Sequence, residues 1–259
     1  MTLSLVHRTR LEKVARDNGF DLEPTLQGDW LACQSSQAPL RLWLSVFGEA
    51  VFVAAFSMLR VARALGDQGT PAISPMPPGA TEGRTVGDIP ALHALVRRAF
   101  QLSRVLPDEP LQAFQKRTKA LPRSTEVERL VVQRVGQDIF RESLLDYWEG
   151  RCAITGLAER RLLRASHIKP WASCESDAER LDVFNGLLLA PHLDALFDQG
   201  YLTVADNGAV LLTNHLPPES RQALGLLHPL RIPRLTDAHH AYLGWHRTRE
   251  FERYFPGDR

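Results

Sequence analysis

The chain is poor in cysteine, with three in 259 residues (Cys33, Cys152 and Cys174), and no two of them form a CxxC pair. That scarcity excludes a disulfide framework and a four-cysteine zinc ribbon, and it suits a reducing interior. No run approaches the roughly 18 consecutive apolar residues of a membrane span. Met1 to Lys13 alternates polar and charged residues where a signal peptide would place an apolar run. A cytoplasmic protein with no membrane partner is the expectation. An excess of one charge is missing as well, since 31 Lys and Arg face 30 Asp and Glu for a net charge of +1. Any nucleic-acid site must therefore come from local clustering rather than a global field. What the chain does have is apolar substance, 44% of its residues, enough at this length for one large domain or two ordinary ones.

The first third mixes helix and strand. Arg8 to Asn18 has helical composition and stops at Gly19. Leu40, Leu42, Leu44 and Val46 alternate with polar or bulky neighbours, the period of a strand with one buried face. With a turn at Phe47-Gly48-Glu49 and the apolar run Val51 to Phe56, this predicts a hairpin. Trp30, Trp43 and Phe47 could line an aromatic base-reading pocket, although aromatic residues on strands more often serve packing. From Gly66 to Gly87 periodicity lapses among Pro71, Pro75, Pro77 and Pro78, which reads as a long loop. Asp88 then offers an N-cap with Pro90 in the first turn of a helix ending near Pro107. The expected division is a module over 1–105, a linker over 106–125 and a second domain over 126–259.

That second domain opens on a capping-box pattern, Thr125 with Glu128, and a helix running to about Trp148. Between Leu111 and Val135, six basic residues (Lys116, Arg117, Lys119, Arg123, Arg129, Arg134) face two acidic ones, either a solvated face or a phosphate-contacting strip. Beyond the helix come a strand over Arg160–Ser166, His167, a loop, a strand over Gly186–Ala190, and a short helix over Leu193–Asp198. A hairpin closed by Asn207-Gly208 follows. Asp194 and Asp198, four residues apart, fall on one helical face, as a divalent cation with oxygen ligands would require. Zinc is disfavoured because Cys152, His167, Cys174 and His192 have gaps that match no common finger spacing. A Ser166–His167 hydrolase dyad is disfavoured too, since adjacent strand residues point to opposite faces.

The blocks Arg164-Ala165-Ser166-His167-Ile168-Lys169-Pro170-Trp171, Asn185-Gly186-Leu187-Leu188-Leu189 and Leu193-Asp194-Ala195-Leu196-Phe197-Asp198-Gln199-Gly200 together resemble the HNH endonuclease family, in its restriction-endonuclease branch. Gly136-Gln137-Asp138-Ile139-Phe140-Arg141 and Arg151-Cys152-Ala153-Ile154-Thr155-Gly156 resemble it as well. The resemblance spans roughly Val135 to Phe251. It implies a C-terminal ββα-metal nuclease domain with flanking helices, and with the N-terminal mixed α/β segment read as a recognition module the chain is expected to be α+β. Carried over residue by residue, it makes His167 the first His and Asn185 the Asn. Asp194 falls at the third position, so the triad reads H-N-D, and Asp198 stands at a further helical position that is a ligand in some members. Ser166 departs from the pattern, standing where an acidic ligand is common, which shifts the expected cation onto Asp194 and Asp198.

In that reading His167 is the general base, Asn185 holds the His loop against the second strand and orients the imidazole through a hydrogen bond, and the all-oxygen ligands favour Mg²⁺ or Mn²⁺. His192 reads as a third ligand or, more simply, as a helix-entry residue. Between Arg151 and Trp171 five basic residues face one acidic, so Arg160, Arg161, Arg164 and Lys169 are expected to hold phosphates of double-stranded DNA. Thr236 to Phe251 reads as a closing helix, for packing first and DNA contact second. The expected function is DNA cleavage in restriction or defence against foreign or modified DNA, with a homodimer where both strands are cut. An inactive HNH-fold DNA-binding protein and a ligand-activated effector nuclease stand as alternatives.

Overall fold

Each half of the chain builds its own core in the computed structural model, which describes residues 3–48, 51–72, 75–106, 108–122 and 124–251. Contacts divide it into two units, Met1–Pro107 and Asp108–Arg259. In the first unit, helix α1 (Leu5–Asp17) precedes strands β1 (Thr25–Gln27), β2 (Trp30–Cys33), β3 (Leu42–Phe47) and β4 (Val51–Phe56). Then come α2 (Leu59–Ala64), β5 (Thr70–Pro71), β6 (Glu82–Val86) and α3 (Ile89–Ser103). The strands form one antiparallel sheet in the order β1-β2-β3-β4-β6-β5. Ser4 caps α1 and Asp88 caps α3, each side chain accepting a backbone N–H of the first turn.

The β3–β4 hairpin forms as the alternation predicts, with Glu49 of its turn outside the described residues. Two other expectations for this unit are corrected. Two strands interrupt the loop expected over 66–87: β6 pairs along its whole length with β4, and β5 adds to its far side. Glu-Gly-Arg-Thr-Val carries no apolar alternation, so only the pairing edge of β4 reveals it as a strand. Nor does β3 keep one exposed face. Trp43 and Ser45 are as buried as Leu42 and Leu44, because Ala72, Met76 and Ala80 pack over a cluster of Trp30, Ala32, Trp43, Val53 and Ala55. The indole N–H of Trp43 donates to Gln27 at 2.9 Å, and Trp30 meets Phe47 edge-on. Trp30 and Trp43 fill the core instead of lining a base-reading pocket, and Phe47 is exposed at the end of β3.

The second unit runs α4 (Glu109–Thr118), α5 (Glu126–Tyr147), β7 (Arg164–His167), α6 (Asp177–Leu181), β8 (Gly186–Leu189) and α7 (Pro191–Asp198). It continues with β9 (Leu202–Val204), β10 (Val210–Leu212), α8 (Pro218–Ala223) and α9 (Asp237–His246), prolonged by a π-helical turn over Arg247–Phe251. The linker expected over 106–125 therefore contains a helix, α4, whose Phe114 and Thr118 are buried. Pro107 and Arg123 lie outside the described residues. The capping box of Thr125 and Glu128 is formed. At the other end of α5, Glu149 and Gly150 both take left-handed backbone conformations (φ 55° and 63°), which reverse the chain. Glu149 alone among described non-glycine residues does so, at a cost of order 1 kcal/mol.

β7 and β8 form a two-stranded antiparallel ribbon with His167 opposite Gly186 and Ser166 opposite Leu187. α5 packs on both strands and α7 packs on β7, so helix and strand are segregated in the α+β manner. The first strand is shorter than expected. Arg141 of α5 donates to the carbonyls of Leu163 (2.6 Å) and Arg160 (3.0 Å), and so engages the groups a longer strand would pair. No helix among the described residues is long and apolar enough to cross a membrane.

Candidate active site

The positions Gly136, Phe140 and Leu144 follow at helical spacing on the side of α5 that meets the ribbon. Gly186 of β8 has no side chain, and a Cβ there would stand 2.6 Å from the Phe140 ring and 2.7 Å from Leu144. The missing side chain lets Phe140 approach. Its ring lies flat against His167, the residue paired with Gly186, with centroids 3.8 Å apart and planes 15° from parallel. Gly136, a helical turn before Phe140, makes room in the same way, since a Cβ there would fall 2.5 Å from Trp171. Trp171 in turn meets His167 edge-on at 5.6 Å. Two glycines and two aromatic rings thus fix the plane of one imidazole.

A backbone carbonyl fixes its rotation. His167 Nε2 lies 2.9 Å from the carbonyl oxygen of Arg180. A carbonyl only accepts, so Nε2 carries the proton and Nδ1 of the neutral ring keeps its lone pair. Burial pushes the His167 pKa down to about 4 against the opposing effect of the Arg180 bond. The ring is neutral throughout the physiological range, and Nδ1 has no hydrogen-bond partner among the described residues.

Asn185 acts one step behind this contact. Fully buried, it accepts from the Lys169 N–H at 2.8 Å and donates to the carbonyls of Lys169 (3.2 Å) and Glu179 (3.1 Å). Its own carbonyl accepts from the Ile168 N–H. The expected hydrogen bond from Asn185 to the imidazole is absent. What Asn185 holds is the loop 168–181, and that loop carries the Arg180 carbonyl to His167. The Arg180 side chain reinforces the closure by donating to the carbonyls of Trp171 (3.2 Å) and Cys174 (2.6 Å) and pairing with Asp177. Cys174 packs under the loop with its thiol protonated, its pKa raised by burial.

A pocket of about 360 Å³ opens beside the ring, lined by Arg164, Ser166, His167, Trp171, Asp194, Asp198 and Glu250 among others. α7 contributes Asp194 and Asp198 from successive turns of one face. Burial raises the Asp194 pKa, opposed by the Ser166 hydroxyl and Arg164. Burial and the neighbouring Asp194 push Asp198 up to about 6, with a smaller push from Glu250. The Ser166 hydroxyl donates to Asp198 at 3.4 Å, so the residue at the expected acidic position holds a carboxylate in place. Two carboxylates that repel each other in a half-buried pocket form an oxygen-donor set of the kind Mg²⁺ uses, one or two carboxylates completed by water and phosphate oxygens. Among the described residues no group of three or more His, Cys, Asp or Glu is arranged to enclose a metal. His192 is exposed and does not line the pocket.

The four basic positions separate. Arg164 lines the pocket, and Arg160 and Arg161 are exposed on the turn before β7. Lys169 is a correction: it is buried, and its ammonium pairs with Glu179 at 2.7 Å, so it braces the loop instead of facing a phosphate. Phe140, Trp171 and Glu250 are the site residues that reasoning from sequence did not assign. The Gly136–Arg141 block signals the first of them. Glu250 has no such signal, because it reaches the pocket through the π-helical turn that ends α9.

Residues 152–205 match the model of a family described as HNH endonuclease, and the matched segment contains β7, β8, α7 and all the loop contacts of Asn185. No curated protein matches the chain.

Proposed function

We propose that this protein, whose residues 152–205 match the HNH endonuclease family, is a metal-dependent endonuclease that hydrolyses phosphodiester bonds of DNA, with His167 as its general base. The observation that carries this reading is the unengaged Nδ1 of a neutral, rigidly held imidazole that lines a pocket together with two carboxylates. His167 takes the proton of the attacking water at Nδ1 while Nε2 stays bonded to the Arg180 carbonyl, which disperses the charge the ring acquires. Asn185 is a positioning residue that keeps the loop closed. Arg164 holds a phosphate oxygen at the pocket edge. Asp194 and Asp198 would hold a divalent cation, Mg²⁺ or Mn²⁺, which when bound neutralises charge developing on the phosphate.

The substrate we favour is double-stranded DNA, cut in restriction or defence, with the first unit selecting the target and a homodimer where both strands are cleaved. That assignment of the first unit rests on analogy with nucleases that pair a recognition module with a cutting one. A second reading, DNA binding without cleavage, is motivated by Ser166 at the position where an acidic ligand is common. The test is incubation of wild type and His167→Ala with supercoiled plasmid, bearing or lacking cytosine modifications, in Mg²⁺, Mn²⁺ or EDTA. Metal-dependent nicking or linearisation lost in the variant is the expected result. Binding of DNA with no cleavage under any condition would support the second reading.

A further inference from the structure

A second cleft of about 360 Å³ lies in the same unit and shares no lining residue with the His167 pocket. Its walls include Trp148, Arg151, Thr155, Arg231, Pro233 and Arg234. Three arginines line it from two segments far apart in sequence, and their meeting there is built by the fold. Gly208, in the Asn-Gly turn between β9 and β10 (φ +85°), admits the 231–234 segment, because a Cβ there would stand 2.4 Å from the Ile232 carbonyl oxygen. Ile232 N–H then donates to Gly208, Val210 N–H donates to Leu230, and Ala209 bridges to Arg231. The backbone beneath Arg231 is therefore anchored while its side chain is exposed. Arg234 is held by Glu149, the residue kept in a left-handed conformation where glycine would be easier.

The donors outnumber the protein groups that use them. Arg151 gives one N–H to the Gly156 carbonyl at 3.3 Å, and Arg231 forms no ion pair with a described residue. A guanidinium carries five N–H donors in a planar fork that matches phosphate oxygens. In a chain of net charge +1, such a cluster is a local feature and not a sample of a basic surface. It also adjoins the basic turn before β7: a Cβ at Gly150 would stand 3.2 Å from Arg160 Cγ, so Arg160 packs beside the residue that precedes Arg151. From there the chain continues through Arg161 to Arg164 at the pocket.

We propose that this cleft binds a phosphate group of the DNA backbone, a second point of attachment away from the bond being cut. The proposal rests on the nuclease reading above. The chemistry it names is that of a phosphate oxyanion, and the alternative source is free phosphate.

The experiment is duplex binding by the full chain in EDTA, read by fluorescence anisotropy across a salt series, for wild type, Arg231→Gln, Arg231→Lys and Arg164→Gln. Arg231→Gln is expected to weaken binding several-fold and to lower the slope of log affinity against log salt by about one, with Arg231→Lys restoring the slope. Wild-type affinity and slope in Arg231→Gln, beside a loss in Arg164→Gln, would overturn this inference and leave the nuclease reading standing. Wild type that neither binds duplex nor cuts it with Mg²⁺ or Mn²⁺ would remove the nuclease reading, and the inference with it. Inorganic phosphate that raises the melting temperature of wild type but not of Arg231→Gln, with duplex binding equal in both, would assign the cleft to free phosphate and overturn the proposal.

Discussion

His167 and His246 occupy nearly the same environment. Each imidazole lies flat on a phenylalanine with centroids 3.8 Å apart, Phe140 in one case and Phe197 in the other. Each has Nε2 against a backbone carbonyl, and burial pushes each pKa down to about 4. Both line the same pocket. They differ at Nδ1. In His246 it is engaged by the Thr203 hydroxyl at 3.0 Å, whereas in His167 it has no partner among the described residues. Neither burial nor a depressed pKa therefore tells the proposed base from its neighbour. What distinguishes His167 is the ring nitrogen left over once the fold has used the other.

The sharpest way to break this comparison is to remove each ring in turn. His167→Ala is expected to lower cleavage about 100- to 10,000-fold, the usual span for a general base, with a folded circular-dichroism spectrum. His246→Ala is expected to act on stability instead, by roughly 3 kcal/mol for a buried ring and its hydrogen bonds, while the folded fraction still cuts. Equal losses of activity per folded molecule would erase the distinction. Gly186→Ala tests the platform: the added Cβ must displace Phe140 or Leu144, a strain of about 1–3 kcal/mol. Chemical denaturation should register that cost, and cleavage should fall beyond the unfolded fraction because the face against His167 has moved.

A pH experiment addresses what the two rings share. His167, His239 and His246 are each held near 4 in the folded state by burial, below the ordinary 6.5 of the unfolded chain. Between these values the unfolded state binds more protons, so stability falls as pH drops through that window. Each histidine contributes up to about 1.4 kcal/mol per pH unit. Urea unfolding at several pH values should show the fall, and His246→Phe should reduce its slope. No change in slope would mean the ring is protonated in the folded protein. The smallest effect expected is on DNA affinity. Arg164→Gln should weaken duplex binding several-fold and lower the salt slope by about one, whereas Lys169→Gln should leave that slope unchanged because its charge is already neutralised by Glu179.

Lys169 also shows how far the site was legible. The positions of His167, Asn185, Asp194 and Asp198 on ribbon and helix follow from short blocks because these are local structures whose residue order fixes their spacing. Whether a lysine beside the histidine faces solvent depends on Glu179, ten residues on, and on a loop closure that no local pattern encodes. For the same reason residue order places Asn185 at the loop it holds but not the partners of its side chain, which are backbone groups of Lys169 and Glu179 and not the imidazole. Phe140 lies 27 positions before His167, at a distance set by how α5 crosses the ribbon, and only the pair Gly136 and Gly186 hints that something large must fit there. Strand β6 escaped because it borrows its order from β4, and α4 because prolines and charges mask its few buried residues. Glu250 depends on a π-helical turn, which leaves no periodic trace.

The most direct test of the central claim is chemical rescue. His167→Gly leaves a space between Phe140 and Trp171 shaped for a free imidazole, and plasmid cleavage in Mg²⁺ or Mn²⁺ can be followed as imidazole is added. Saturable recovery of cleavage, absent from the same titration of His246→Gly, is the predicted result. Cleavage by His167→Gly at the wild-type rate without imidazole would contradict the assignment of His167 as the base.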